Sequence, residues 1–193
     1  MMTLNEIIER LQQMLSPKRF EHSLKVMEAS IQLAEKYGED VEKAALAGLV
    51  HDCAKNMGTE DIFSLCDKYG IIVDDIMKRQ PALLHGLVGS YLATDLFGIE
   101  DTIILDAIAD HTMGRAGMDR LSSILFIADY IEATRDYPGV EEIRDAAQIS
   151  LGKAIVKGID NTIMHILKKG ELLHPQTVAT RNWALEMETR KRT

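Results

Sequence analysis

The sequence predicts an all-α fold, a compact bundle of many helices. Apolar residues recur at three- and four-residue intervals along most of the chain. Strict alternation of period two is absent, and so is any Asn-Gly hairpin signal. Ala, Leu, Ile and Met are plentiful against 5% aromatics and 4 prolines, a composition that favours helix over sheet.

The elements follow in order. Leu4, Ile7, Ile8, Leu11, Met14 and Leu15 share one helical face, and Thr3 with Glu6 fits a capping box at its start. Ser16-Pro17 opens a second helix, with proline at the tolerated first position, and Gly38 closes it. Asp40 begins a third, apolar nearly all round and therefore central, which runs to Val50. A shorter helix starts at Thr59-Glu60-Asp61 and stops at Gly70. Another runs from Pro81 to Gly98, and one capped by Asp101 reaches His111 and Thr112 before Gly114. Asp119 caps the apolar run Leu121 to Ile131, which Pro138-Gly139 separates from a short helix. A long helix spans about Ser150 to Lys169, and a last one begins at about Thr177, which would cap it.

A chain of 193 residues is about one domain and can bury roughly 70% of its unfolded surface. The net charge of −8 argues against general attraction to nucleic acid. Cys53 and Cys66 are too few for a disulfide framework or a thiolate zinc site, and read as reduced thiols in a cytoplasmic protein. No signal peptide and no membrane-spanning stretch are expected.

Polar groups on apolar faces carry the functional signal. His51-Asp52 stands at the end of the central helix, where the partial negative charge of the helix terminus favours a cation. His22 shares a stripe with Val26, Ala29 and Leu33, and Asp129 shares one with Leu121 and Leu125. An unpaired inward carboxylate would cost several kcal/mol. Arg120 and Arg135 stand too far along the chain to serve as local partners of Asp129. One divalent metal held by His22, His51, Asp52 and Asp129 satisfies all four groups, and such nitrogen and oxygen donors suit Fe, Mn, Zn or Ni. Water on such a metal is a nucleophile for hydrolysis. Lys55 and Arg19 fall on the same side and can meet phosphate. His85 and His111 also face inward. They can donate to phosphate oxygens or serve as general acid, with a second metal as a less favoured role. His165, beside Thr162, Asn161 and Gly158 on its helix, reads as a surface residue.

The order His, His-Asp, distant Asp resembles the signature of HD-domain metal phosphohydrolases. Five segments narrow the likeness: Arg19-Phe-Glu-His-Ser23, Leu49-Val-His-Asp-Cys-Ala-Lys55, Ala109-Asp-His-Thr-Met-Gly114, Ile127-Ala-Asp-Tyr-Ile-Glu-Ala-Thr-Arg135 and Leu172-Leu-His-Pro-Gln-Thr-Val-Ala-Thr-Arg-Asn182. Together they resemble the bacterial YqeK family across nearly the whole chain. The resemblance implies a single HD-domain bundle over 1–193, with a metal-binding core at about 17–135 and nucleotide-contacting helices at about 140–193. It implies one metal, iron by preference, and symmetrical hydrolysis of diadenosine tetraphosphate to two ADP. Asp52, Lys55, His85 and His111 would serve catalysis. Nucleotide contacts would come from Arg19, His22, Lys55, His85, His111, Thr112, Arg135, Leu172, Leu173, His174, Pro175, Gln176, Thr177 and Arg181. The partner is then a dinucleoside polyphosphate giving an ADP- or GDP-like product, and a homodimer is compatible. Alternatives are a catalytically idle nucleotide sensor or an HD hydrolase acting on another nucleotide. His111 is followed by Thr112 rather than a second histidine, and no Gly-Tyr-Pro run is present, which disfavours the HD-GYP cyclic-dinucleotide phosphodiesterases.

Overall fold

The computed structural model describes residues 2–190, which form helices and turns with no strand among them. The helices are α1 (Leu4–Met14), α2 (Pro17–Tyr37), α3 (Val41–Val50), α4 (Thr59–Tyr69), α5 (Asp75–Arg79), α6 (His85–Phe97), α7 (Thr102–Asp110), α8 (Arg120–Ile131), α9 (Val140–Ile149), α10 (Leu151–Lys169) and α11 (Pro175–Arg190), with a 3₁₀ turn at Pro81–Leu84. The predicted caps of α1, α3, α7 and α8 hold. Thr3 and Glu6 form a reciprocal capping box. The side chains of Asp40, Asp101 and Asp119 accept from backbone N–H groups of the first turns of α3, α7 and α8.

Three boundaries differ from the sequence reading. The stretch after Pro81 is a 3₁₀ turn followed by α6 rather than one helix. The short α5, capped by Asp74, has too few apolar positions to show a period. Finally, α11 begins at Pro175, because the Gln176 N–H donates to the His174 ring at 3.2 Å. Thr177 therefore lies inside the helix and is not its cap.

The core forms around α3 and α8. Every residue from Leu121 to Ala128 is buried, as are Ala44, Ala47, Gly48, Leu49 and Val50. Each fully buried Leu, Ile or Phe contributes roughly 1.5–3 kcal/mol. α2 packs on both α3 and α8, α7 packs on both from another side, and α10 lies against α8 with α9 and α11 beside it. Two glycines set close approaches. A Cβ on Gly86 would stand 2.7 Å from Thr112 Oγ1 and 3.0 Å from the Ala109 carbonyl, so α6 can lie tight against the end of α7. Gly114 takes φ 70°, and α11 brings Thr180 onto it.

Candidate metal centre and adjoining cleft

Four side chains converge where α2, α3 and α8 meet. His22 Nε2 lies 3.0 Å from Asp129 Oδ1 and 3.7 Å from Asp52 Oδ2. His51 Nε2 lies 3.4 Å from Asp52 Oδ2 and 4.0 Å from Asp129 Oδ1. Such separations suit ligands that each stand about 2.1 Å from one shared ion. His22, His51 and Asp52 are buried, and Asp129 is partly open to a cleft. The Nε2 atoms of His22 and His51 and Oδ1 of Asp52 make no hydrogen bond of acceptable geometry. Buried polar atoms are rarely left so, and their convergence fits a cation. His51, Asp52 and His111 form a second, overlapping group whose ligand atoms also lie within 4.8 Å of one another.

The second nitrogen of each ring explains the orientation. His51 Nδ1 lies 2.7 Å from the Gly48 carbonyl, His111 Nδ1 2.7 Å from the Ile108 carbonyl, and His85 Nδ1 2.5 Å from the Ala82 carbonyl. A ring that donates from Nδ1 presents the lone pair of Nε2 inward. His22 differs, because its Nδ1 meets a carboxylate, Glu132 Oε1, at 3.1 Å. Glu132 is buried and also accepts from the Thr134 N–H and hydroxyl, each at 2.6 Å. Burial pushes the Glu132 carboxyl up, but the Thr134 and His22 hydrogen bonds outweigh it and hold it low. Sequence reasoning missed Glu132. Its signal is an acid three residues past Asp129, just beyond an apolar run.

Cations surround the carboxylates. Arg19 donates to Asp52 Oδ2 at 2.6 Å, and Arg135 donates to Asp129 Oδ1. The second contact corrects the expectation that Arg135 is out of reach. α8 ends at Ile131 and the chain turns back, so Arg135 returns to Asp129 and also donates to its backbone carbonyl at 2.7 Å. Burial opposes the charge on Asp52. Attraction to His51 and the close approach of the His111 and His85 rings prevail, holding its carboxyl well below the usual range. Asp129 behaves alike: burial opposes its charge, while His22, His51 and Arg135 hold it down. Burial lowers the Lys55 ammonium, against the pull of Asp52 and Asp129, and its Nζ lies 3.1 Å from His85 Nε2. Burial also pushes His85 down to about 4, so its imidazole is neutral near pH 7. His85 Nε2 and His111 Nε2 stand 2.9 Å apart.

A cleft of about 480 Å³ opens beside these groups. Lys55, His85, His111, Thr112, Asp129 and Arg135 line one end. The other end holds Tyr137 and a face of α10 that includes His165. His165 is exposed, as its helical neighbours suggest, yet it is a cleft wall and not open surface. The segment 172–177 does not line this cleft. His174 instead bonds Asp74 at 2.7 Å and Gln176 donates to the Gly114 carbonyl, while Arg181 pairs with Asp160. Cys53 and Cys66 are free and buried. No helix among the described residues is long and apolar enough to cross a membrane.

Comparison with known proteins places this geometry. The family profile described as HD domain matches residues 19–134. A protein of Bacillus subtilis (strain 168) named symmetrical bis(5'-nucleosyl)-tetraphosphatase is 37% identical over 182 residues, covering 94% of this chain and 97% of the relative. A Halalkalibacterium halodurans protein of the same name is 41% identical over 171 residues, covering 89% and 91%. A crystal structure described as a predicted HD superfamily hydrolase involved in NAD metabolism, from Clostridium acetobutylicum, superposes with a TM-score of 0.94 at 44% identity. It covers 97% of this chain and 99% of its own.

Proposed function

The chain belongs to the YqeK family of HD-domain proteins, and from that membership we propose that it is a metal-dependent phosphohydrolase cleaving dinucleoside tetraphosphates symmetrically. The observation that carries this reading is the four-donor cage with its unpartnered Nε2 atoms, opening on a cleft rimmed by Lys55, Arg135 and two inward histidines. His22, His51, Asp52 and Asp129 would hold one divalent transition metal, with iron the preferred ion. Bound there, the ion would supply Lewis acidity toward water and a phosphoryl oxygen.

The chain's own residues account for the rest. Lys55 and Arg135 stand where negative charge builds on the phosphoryl oxygens, and a fixed cation in a partly dry site stabilises that charge strongly. His85, neutral near pH 7 and fixed through Nδ1, can accept a proton at Nε2 from attacking water. His111, fixed in the same way, holds Nε2 2.9 Å from His85 Nε2, placed to take that proton and pass it to the departing phosphate. A new P–O bond forms to the water oxygen at a phosphorus beside the central bridge. The bridging P–O bond breaks, and its electron pair leaves with a nucleoside diphosphate. The balance is one tetraphosphate plus one water to two diphosphates. Thr112, with its hydroxyl 3.3 Å from His85 Nε2, is placed to orient a phosphate oxygen. The segment 172–177 and Arg181 would reach nucleotide from outside the cleft described above.

Hydrolysis of diadenosine tetraphosphate in oxygen-18 water tests the reading. ADP should be the sole early product, with one of each two molecules labelled. Early ATP and AMP in equal amounts would reject symmetrical cleavage, and absence of any turnover in the metal-loaded protein would reject the enzyme.

A further inference from the structure

The α10 end of the cleft carries chemistry that the metal end does not use. Asn161, Met164, His165 and Lys168 recur at helical spacing and turn one face of α10 to the cavity. Lys168 and His165 make no ion pair or hydrogen bond among the described residues, in contrast to Arg19 and Arg135, whose guanidinium groups are bound to Asp52 and Asp129. A lysine in the last turn of a helix is favoured by the helix dipole, but that does not require it to face a cleft. Met164 is 55% exposed, a large apolar side chain left open beside the half-buried Tyr137 ring.

This wall is rigid. The Tyr130 hydroxyl bonds Thr162 Oγ1 at 2.7 Å, Asn161 Nδ2 donates to the Pro138 carbonyl at 2.7 Å, and the Tyr137 hydroxyl donates to the Tyr130 carbonyl at 2.8 Å. The turn after α8, which carries Arg135, is thereby locked to α10. A preformed wall loses little conformational freedom when a ligand arrives.

We propose that this face of α10 binds the departing half of the substrate, a nucleoside 5'-diphosphate, with Lys168 and His165 on its phosphates and Met164 and Tyr137 flanking its base. The assignment rests on the tetraphosphatase reading and adds the subsite to it. A diphosphate leaving group carries several negative charges. The metal-end arginines, already shared with Asp52 and Asp129, neutralise them incompletely. An unpaired cation farther along the same cleft, Lys168, with the His165 ring beside it on α10, completes the match.

The test is steady-state kinetics on diadenosine tetraphosphate with the metal-loaded enzyme and its Lys168 variants. Lys168→Ala should raise KM about tenfold, the size expected for one charge-assisted contact at a part-exposed site, with kcat within about twofold. Lys168→Glu should raise KM further, and Lys168→Arg should restore it. His165→Ala added to Lys168→Ala should raise KM again. Bound metal and helicity should stay unchanged in all four variants, because these side chains touch neither the cage nor the core. A KM for Lys168→Glu within twofold of the unsubstituted enzyme overturns the subsite while leaving the activity intact. Failure of the unsubstituted enzyme to turn over the tetraphosphate overturns the activity reading, and the subsite with it.

Discussion

At the metal end of the cleft each histidine ring is fixed through Nδ1, by a backbone carbonyl or by Glu132, and each carboxylate of the cage accepts a guanidinium. At the α10 end the hydrogen bonds hold the wall itself, through Thr162 and Asn161, while Lys168 and His165 remain loose. The difference follows from the work each end does. Groups that stabilise developing charge must be in place before reaction, since reorganising them would add to the barrier. Groups that attract a flexible polyphosphate can find it by adjusting their own rotamers.

Substitution at the cage should break the comparison most severely. Asp52→Asn removes a charged ligand that Arg19, His51 and His85 all face. Turnover should fall on the order of 10³-fold or more, with most metal lost, because several kcal/mol of charge stabilisation go with the ion. Circular dichroism should still report a helical protein. A variant that keeps stoichiometric metal and near-normal turnover would sink the assignment.

A smaller effect is expected one bond farther out. Glu132→Gln keeps the size of the side chain but weakens the hold on His22 Nδ1, and such outer partners are typically worth about 10–100-fold in metal affinity. Competition with a chelator measures that change directly. The visible spectrum of the cobalt-loaded protein should shift as His22 reorients, which a purely structural role at this position would not produce. Equal metal affinity and an unchanged spectrum would show that the carboxylate merely caps the Thr134 turn.

The smallest effect is on stability and separates the two ends by pH. In metal-free protein, burial lowers the His85 pKa from the ordinary 6.5 to about 4. The unfolded chain therefore binds a proton that the folded chain refuses as pH falls from 6.5 toward 4, and stability falls with it. The melting temperature should drop roughly 5–10 °C across that window. In His85→Gln the drop should flatten, whereas in His165→Gln it should persist. An identical pH profile in His85→Gln would place the acid sensitivity elsewhere.

Much of the metal end is legible in the sequence, for a local reason. His22, Asp129 and the His51-Asp52 pair sit on long apolar helices, where a polar residue in an apolar stripe stands out against the period. Caps such as Asp40, Asp101 and Asp119 mark helix starts just as clearly. Arg135 misleads because helical spacing says nothing about a chain that turns back after Ile131. Glu132 hides in the same turn. The α10 wall is harder still: His165, beside Asn161 and Thr162, reads as an ordinary surface residue. Only the packing of α10 on α8 reveals that its face looks into a cavity.

Gly86 contributes no functional group and yet governs a distance between two that do. Without a side chain it lets the turn bearing His85 settle against Thr112 and the Ala109 carbonyl, and the two histidine nitrogens meet at 2.9 Å. A single added methyl would wedge α6 from α7 and widen that gap, with every ligand still present. The tolerance of the site is thus set by the calliper of two neighbouring helices, so an inventory of its reactive residues could be complete while the site itself was out of gauge.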